Sequence, residues 1–259
     1  MPTETAREVF ALFQQYDGEL SVFCDGLAIK TPEGIAKLAS RTIHFLSSEA
    51  RQDLSFLILI EALCGLAVCL GGAALFDART GSHLRRWDLP EETGRRALEL
   101  CLGRDIELMI FAGEEILLDP FSRRSLQRTY PFSVFHRRAV DVPDPLAHLA
   151  ERGLPLTKLH GDQKPGGYPL EELAALPGVE LTASNDHDFE LVPAGVNKGR
   201  TLALLALMWG IPLERCAAVG DSANDLAMLR AVGCPIAMGN AAPQVQAAAA
   251  RTVADNSHD

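Results

Sequence analysis

The chain has 259 residues, of which 47% are hydrophobic, 22% charged and only 6% aromatic, a composition that favours helices packed on a sheet over an all-β sandwich. The length suits one large domain or two smaller ones, with enough residues to bury a hydrophobic core. The net charge of −10 argues against a nucleic-acid or anionic-membrane partner, since both require a basic face, but phosphorylated small molecules stay possible because a bound cation reverses the local charge.

The first fifty residues predict short strands and one helix. Residues 9–13 form an apolar run that is typical of a short buried strand. Asp25 and Gly26 lie between two arms rich in β-forming residues, which is a strong signal for a hairpin. A helix is predicted over residues 31–40, because a Thr at the N-cap precedes a Pro at the first helical position, and residues 43–46 follow as another strand.

A long apolar stretch at residues 54–76 contains a single charged residue, Glu61, and is nearly long enough to span a bilayer. Its flanks favour a division into a buried helix, a buried strand over residues 66–70 and a turn at Gly71 and Gly72. Parallel strands that are covered on both faces are continuous apolar runs. We therefore expect a core segment here and no membrane partner.

The middle of the chain, residues 82–190, differs in composition from the two end regions and contains most of the prolines. A helical pattern at residues 91–102 alternates with strand-like segments at residues 106–111 and 179–182. We interpret this region as an α+β domain inserted into a core domain. The core domain is then formed by two separate segments, residues 1–81 and 191–259.

The last sixty residues alternate between helices and strands. The pattern predicts a helix over residues 198–209, a strand over 216–219, a helix over 224–232 and a strand over 235–238. This rhythm predicts an α/β fold with a doubly wound parallel sheet. The alanine-rich residues 247–250 are predicted to be helical.

The six cysteines form no CxxC pair, and most lie in apolar surroundings. This usage is typical of free thiols in a reducing compartment and not of a disulfide framework or a zinc site. The first residues lack a basic segment followed by an apolar one, so we expect no signal peptide. Together these features predict a cytoplasmic protein.

The clearest chemical signal is the acidic loop that follows the strand at residues 216–219. Asp221, Asn224 and Asp225 come within five residues at the carboxyl end of a strand, where open α/β sheets bind ligands. Carboxylate and amide oxygens suit octahedral Mg²⁺, which keeps several waters. An N-capping acidic turn that holds no metal is the alternative.

Two further residues could contact an anionic group. Lys198 lies between small residues at a predicted helix start, where an ammonium can hold an anion beside a metal-bound carboxylate, although a surface lysine is the alternative. Ser48 follows the strand at residues 43–46, so its hydroxyl could contact a phosphate oxygen, although a plain N-cap is the alternative.

These residues together resemble the haloacid dehalogenase (HAD) superfamily of Mg²⁺-dependent phosphatases. Residues 196–241 look like its Cof-type and mannosyl-3-phosphoglycerate phosphatase-like branch, in which K-G, G-D-S-x-N-D and A-M-G-N-A recur in this order. The resemblance implies a phosphatase acting on a small sugar phosphate or related phosphorylated metabolite, with residues 82–190 as an inserted C2-type cap. It also implies a phosphate site and a metal site: phosphate at Ser48, Lys198 and Asn224, and Mg²⁺ at Asp221 and Asp225.

The first motif of that superfamily, D-x-D-G-T at the end of the first strand, does not occur in this chain. Two registers are possible. In the first, the motif follows the strand at residues 9–13: Gln15 takes the position of the attacking Asp, Asp17 that of the second Asp, and Glu19 that of the Thr. In the second register, residues 23–27, F-C-D-G-L, correspond to the motif. We favour the first register because it uses a buried strand and leaves the hairpin turn free.

In either register the attacking carboxylate is missing. The amide of Gln15 is a poor nucleophile and a weaker Mg²⁺ ligand than a carboxylate, and Glu19 would repel a substrate phosphate. Three hypotheses follow: a phosphatase in which Asp17 binds metal or acts as general base on water, an enzyme that uses Asp17, Glu19 and Asp221 for another acid–base reaction, or a non-catalytic binding or partner protein. The oligomeric state is not predicted.

Overall fold

The computed structural model describes residues 21–24, 27–29, 66–77, 82–129, 135–162, 169–183 and 188–255. The strands are β1 Ser21–Cys24, β2 Leu27–Ile29, β3 Leu66–Cys69, β4 Ala74–Asp77, β5 Ser82–Arg86, β6 Glu107–Ala112, β7 Glu115–Leu118, β8 Ala139–Asp141, β9 Leu156–Asp162, β10 Val179–Thr182, β11 Asp188–Pro193, β12 Cys216–Gly220, β13 Cys234–Ala237 and β14 Arg251–Thr252. The α-helices are α1 Glu91–Cys101, α2 Pro120–Thr129, α3 Phe135–Arg138, α4 Pro145–Arg152, α5 Leu170–Ala174, α6 Lys198–Trp209, α7 Leu226–Ala231 and α8 Pro243–Ala247.

The chain divides into two compact units. One unit comprises Met1–Arg85 with Asn197–Asp259, and the other comprises Arg86–Val196. The predicted boundary at residue 190 falls inside β11, which pairs with β9 and β10 and therefore stays with the second unit. The predicted boundary at residue 81 lies just before β5, the last strand of the sheet of the first unit.

The described residues of the first unit form an eight-stranded sheet in the order β14-β13-β12-β1-β2-β3-β4-β5. The strands β1, β12, β13 and β14 are mutually parallel, whereas β2, β3 and β4 join by antiparallel pairings. The predicted α/β class is confirmed, and the sheet is mixed where a wholly parallel one was expected. The difference arises because short hairpins extend one side of the sheet, and a hairpin always pairs its strands in antiparallel fashion.

The predicted hairpin near the beginning of the chain is confirmed. Cys24 of β1 faces Leu27 of β2 in the antiparallel register, and the two residues between them, Asp25 and Gly26, lie outside the described residues. The strand predicted at residues 9–13 and the elements predicted over residues 31–46 also lie outside them.

The central helix and strand of the first unit form as predicted. All of β12 is buried, and its apolar residues pack in one core with Leu202 and Leu205 of α6, which explains the uninterrupted apolar run in the sequence. The helix α6 begins after Asn197, whose Oδ1 accepts the N–H of Arg200 at 3.0 Å, and it ends at Gly210 in a left-handed conformation.

Three other sequence predictions differ in detail or in outcome. The helix predicted over residues 224–232 is divided into a 3₁₀ turn, Ala223–Asp225, and α7. The helix predicted over residues 247–250 is wrong, because α8 already ends at Ala247. The second half of the apolar stretch forms β3, a 3₁₀ turn at Leu70–Gly72 and β4, whereas residues 54–65 lie outside the described part.

The predictions of no membrane span and of free thiols can be compared with the described residues. Among these residues, no helix is both long enough and apolar enough to cross a membrane. Four of the cysteines, Cys69, Cys101, Cys216 and Cys234, are free thiols. Burial raises the pKa of Cys101 to about 12 and that of Cys216 to about 11, which keeps these two thiols protonated and unreactive at neutral pH.

The second unit contains a six-stranded sheet in the order β10-β11-β9-β6-β7-β8. Leu108, Leu159 and Leu191 lie on three neighbouring strands and join an apolar core with residues of α1. Because successive side chains on a strand point to opposite faces, Lys158, His160 and Glu190 share the other face. Lys158 and Glu190 form a buried ion pair there, with the Lys158 Nζ 2.8 Å from the Glu190 Oε1.

This ion pair predicts an acid-sensitive contribution to stability. Burial by itself would raise the pKa of Glu190, but the nearby His160 imidazole and the Lys158 ammonium outweigh burial and lower it below its ordinary value of 4.5. A carboxyl whose pKa is lower in the folded state stabilises the fold above the unfolded-state pKa. The contribution should therefore be complete above about pH 4.5 and should be lost progressively below it.

Replacing Lys158 by Met should lower the free energy of unfolding at pH 7 by about 3 kcal/mol, because Glu190 would remain buried without its cation. Urea unfolding followed by circular dichroism at pH 7 and pH 4 measures the effect. A control that also carries Glu190→Gln should recover most of the loss, since no buried charge remains. Equal unfolding free energies for the wild-type protein and Lys158→Met would contradict the prediction.

Candidate active site

The candidate site lies at the carboxyl end of β12 in the first unit. This strand is flanked by β1 on one edge and by β13 on the other, and all three run in the same direction. Their carboxyl ends therefore meet at one edge of the sheet, which is where open α/β sheets bind ligands. Asp221 follows β12 directly and is half-buried.

The side chain of Asp225 organises the loop after β12. Its Oδ2 accepts the backbone N–H groups of Asp221 at 3.1 Å and Ser222 at 3.2 Å, and its Oδ1 accepts the ammonium of Lys198 at 2.5 Å. Ser222 and Asp225 together form a capping box at the 3₁₀ turn. With only 3% of its surface exposed, Asp225 is a buried anchor for the loop and for Lys198.

Gly220 allows the Asp225 carboxylate to fold back against the strand. A Cβ atom at this position would lie 2.5 Å from the Cβ and 2.9 Å from the Cγ of Asp225, far inside van der Waals contact. The glycine of the G-D-S-x-N-D motif is therefore required by the close approach of this carboxylate.

Lys198 is the first residue of α6, and its ammonium is held inside the loop. Its Nζ donates to the Oδ1 of Asp225 at 2.5 Å and to the Oδ1 of Asn224 at 3.2 Å. The Asn224 Oδ1 also accepts the hydroxyl of Ser222 at 2.8 Å. Lys198 keeps 17% of its side chain exposed. It is therefore largely buried, and its ammonium lies beside Asp225.

The contacts of Asp225 bear on its predicted role as an Mg²⁺ ligand. Two backbone N–H groups donate to Oδ2, and the Lys198 ammonium donates to Oδ1. Asp225 thus caps the turn and holds Lys198. Because a carboxylate oxygen can accept more than one contact, its role as a metal ligand stays a prediction.

A magnesium site at this edge would rest mainly on Asp221. The part of the chain that the structure describes holds no group of three or more His, Cys, Asp or Glu side chains able to bind a metal. Mg²⁺ commonly binds through only one or two carboxylates and completes its octahedron with water and substrate oxygens. The carboxylate of Asp221, which follows β12, is an oxygen donor of the kind that Mg²⁺ prefers.

The structure brings together four of the predicted site residues in one loop and the adjoining helix start: Lys198, Asp221, Asn224 and Asp225. The other four, Gln15, Asp17, Glu19 and Ser48, lie outside the described residues. Their predicted roles are neither supported nor contradicted by a contact.

The strand topology bears on the register of the first motif. The strand β12 is flanked by β1 on one edge and by β13 on the other. The strand beside it, Ser21–Cys24, has Cys24 opposite Val219 and is the strand of the second register. The strand of the first register lies outside the described residues, so the choice between the two registers stays a prediction.

Sequence reasoning also missed two residues that contact the start of α6. The hydroxyl of Thr201 donates to the carbonyl of Gly72 at 2.6 Å, and a Cβ atom on Gly72 would lie 2.3 Å from the carbonyl carbon of Asn197. The glycine pair at 71 and 72 was recognised as a turn, but no local pattern indicates which helix the turn contacts.

Comparison with known families agrees with this geometry. Residues 27–259 match the family model of haloacid dehalogenase-like hydrolases. The chain belongs to this family. The match begins at Leu27, which is the last residue of the first motif in the second register, so the family assignment depends on the later motifs.

Relatives within the HAD-like hydrolase family include enzymes with named activities. The chain is 29% identical over 235 residues to the HMP-PP phosphatase of Citrobacter koseri, covering 88% of this chain and 84% of that protein. A HAD-like hydrolase from B. subtilis superposes with a TM-score of 0.68 at 19% identity, covering 92% and 95% of the two chains. A subclass IIB sugar phosphatase of the HAD superfamily gives 0.68 at 18% identity, covering 92% and 94%. These two structures establish the fold.

Proposed function

We propose that this HAD-like hydrolase is a Mg²⁺-dependent phosphatase that acts on a small phosphorylated metabolite. The observation that carries the proposal is the ammonium of Lys198, which lies 2.5 Å from the buried Asp225 at the carboxyl end of β12, on a side chain that is 17% exposed. A fixed cation at this edge stabilises the charge of a transferring phosphoryl group, and it does so without reorganising during the reaction.

The relatives support a phosphate ester as substrate. The activities named for the similar proteins are those of an HMP-PP phosphatase and a sugar phosphatase. The chain carries a net charge of −10, so a phosphorylated substrate requires local positive charge. Lys198 and a bound Mg²⁺ supply that charge in this proposal.

We assign the first-motif chemistry to Asp25. It follows β1 directly as Asp221 follows β12, and the two strands are parallel neighbours. In the proposed reaction, Asp25 accepts a proton from water as the water oxygen bonds to phosphorus and the ester P–O bond breaks, and it returns the proton to the leaving oxygen. Asp221 and Asp25 would hold Mg²⁺, which when bound polarises the phosphoryl oxygens.

The other assignments of the first motif are weaker. The first register places Gln15 at the position of the attacking Asp, Asp17 as the base and Glu19 at the Thr. It would require residues 9–13 to pair with β12, whose two edges already pair with β1 and β13. Ser48 remains proposed as a phosphate contact, on its resemblance to the family pattern alone. The unit Arg86–Val196 is proposed as the C2-type cap that selects the substrate, and the buried free thiols favour a cytoplasmic location.

Steady-state hydrolysis of a panel of phosphomonoesters, with Mg²⁺ or with a chelator, tests the proposal. We expect activity only with Mg²⁺, and Asp221→Asn should lower kcat/KM at least about 100-fold because it replaces a charged metal ligand by a weaker neutral amide. Glu214→Gln is the matched control. It removes an exposed carboxylate from the turn before β12, at the opposite end of the same strand, and should leave kcat/KM within about twofold.

Calorimetric titration of Mg²⁺ and of inorganic phosphate distinguishes the alternatives. A wild-type rate no faster than that of Asp221→Asn would contradict the phosphatase proposal. Saturable phosphate binding in such an inactive protein would favour a non-catalytic binding protein. The absence of saturable Mg²⁺ binding would contradict the metal site.

A further inference from the structure

We infer that Thr201 is a positioning residue for Lys198 and that it acts by anchoring α6 to the turn Leu70–Gly72. The inference rests on the proposed function, because it concerns the cation of the proposed phosphate site. Thr201 contacts neither a reacting atom nor the Lys198 ammonium in the described contacts, so its effect would pass through the position of the helix.

The turn between β3 and β4 has an unusual backbone. Leu70, Gly71 and Gly72 have positive φ angles of 54°, 67° and 102°, and Leu70 is the only non-glycine residue with a positive φ in the described part of the chain. A leucine adopts this conformation only where the surrounding structure requires it, and such residues cluster near functional sites. The turn is therefore constrained by its packing and not by its own preference.

Gly72 brings the turn into direct contact with the backbone that carries Lys198. A Cβ atom on Gly72 would lie 2.3 Å from the carbonyl carbon of Asn197 and 2.7 Å from the amide nitrogen of Lys198. The peptide that joins Asn197 to Lys198 thus rests on the glycine itself. Any side chain at position 72 would push this peptide away.

Thr201 of α6 contacts the same turn through a hydrogen bond to Gly72. Its hydroxyl donates to the Gly72 carbonyl at 2.6 Å, its N–H donates to the Asn197 carbonyl at 3.2 Å, and only 1% of its surface is exposed. Thr201 lies one helical turn after Lys198, so this hydrogen bond fixes the first turn of α6 against the turn Leu70–Gly72.

A second contact limits the movement of the helix start in another direction. A Cβ atom on Gly199 would lie 2.4 Å from the carbonyl oxygen of Ala227, so the first turn of α6 also packs tightly on α7. Lys198 is therefore held between the turn Leu70–Gly72 and the helix that follows Asp225. Since misplacement of a charge by a fraction of an ångström weakens its effect on a transition state, these contacts set how well Lys198 can act.

The test compares Thr201→Val, Thr201→Ser and Thr93→Val in the full-length protein. Valine keeps the size of threonine but loses the hydroxyl donor, and serine keeps the donor. Thr93 is the matched control because its hydroxyl, also buried, donates to the Pro177 carbonyl at 3.0 Å in the second unit. Its loss removes the same kind of hydrogen bond in the other unit of the chain.

We expect Thr201→Val to lower kcat about tenfold at saturating Mg²⁺. Thr201→Ser should restore kcat to within about twofold of the wild-type value, and Thr93→Val should leave it within that range. Amide hydrogen exchange of residues 197–202 should accelerate in Thr201→Val and not in Thr93→Val. Gly72→Ala should reproduce both effects of Thr201→Val, because it displaces the same peptide from the other side.

Equal kcat values for Thr201→Val and Thr93→Val would overturn the inference, as would unchanged exchange at residues 197–202. The exchange measurement does not require activity. If the wild-type protein hydrolyses no phosphomonoester, the proposed function fails, while accelerated exchange in Thr201→Val would still support the anchoring of Lys198 by the turn.

Discussion

Asp25→Asn should abolish Mg²⁺-dependent phosphomonoester hydrolysis, with a loss in kcat/KM of at least about 10³, because residues that act within one catalytic unit carry effects of this size. Asp17→Asn should leave kcat/KM within about twofold. The expectation follows from the parallel pairing of Ser21–Cys24 with β12, which leaves β12 no edge for residues 9–13. Initial rates of both variants, measured at saturating Mg²⁺ on the best substrate of the panel, provide the comparison.

The variant Gln15→Asp also tests which register of the first motif is correct. If Gln15 occupied the position of the attacking carboxylate, the added carboxylate should create or raise activity. In the register with β1 beside β12, it should change little. Full activity in Asp25→Asn together with loss in Asp17→Asn would reverse the assignment and restore the first register.

Lys198→Met should reduce both activity and stability. It removes the only cation in contact with Asp225 among the ion pairs of the described residues, and breaking such a buried pair typically costs about 3–5 kcal/mol of unfolding free energy. The loss of the phosphate-binding charge should lower kcat/KM at least about 100-fold. Urea unfolding and steady-state kinetics on the same preparation measure the two effects.

The double variant Lys198→Met with Asp225→Asn separates these two losses. An asparagine at position 225 can still present an oxygen to the N–H groups of Asp221 and Ser222, and no buried charge remains. Stability should therefore recover substantially while activity stays lost. A double variant that is as unstable as Lys198→Met would show that Asp225 is not destabilised by the loss of its lysine.

The motif region shows what a local pattern can predict. The apolar run at 216–219 became a buried strand, because a parallel strand covered on both faces needs apolar residues at every position. The bounds of α6 were predicted correctly, since Asn197 caps its first turn and Gly210 ends it in the left-handed conformation that glycine adopts readily. Each of these features depends on residues that are neighbours in the chain.

The contacts of Asp225 are a feature that a local sequence pattern does not predict. From the sequence, two aspartates in one loop are equivalent candidates for a metal. Only the folded loop distinguishes them, because Asp225 turns inward to accept two backbone N–H groups and the ammonium of Lys198, whereas Asp221 stands half-buried at the strand end. The difference depends on a helix start that lies far from the loop in the sequence.

The sequence by itself determined the α/β class, the acidic loop after a buried strand and the lysine at the start of α6. The tertiary structure alone decided that Ser21–Cys24 lies beside β12, and that Thr201 and Gly72 hold the start of α6 in place. The physical reason is the range of the interactions. Periodicity and capping are set by residues within a few positions of each other, whereas strand order and buried side-chain contacts join distant segments, and several pairings satisfy the same local pattern until one of them packs.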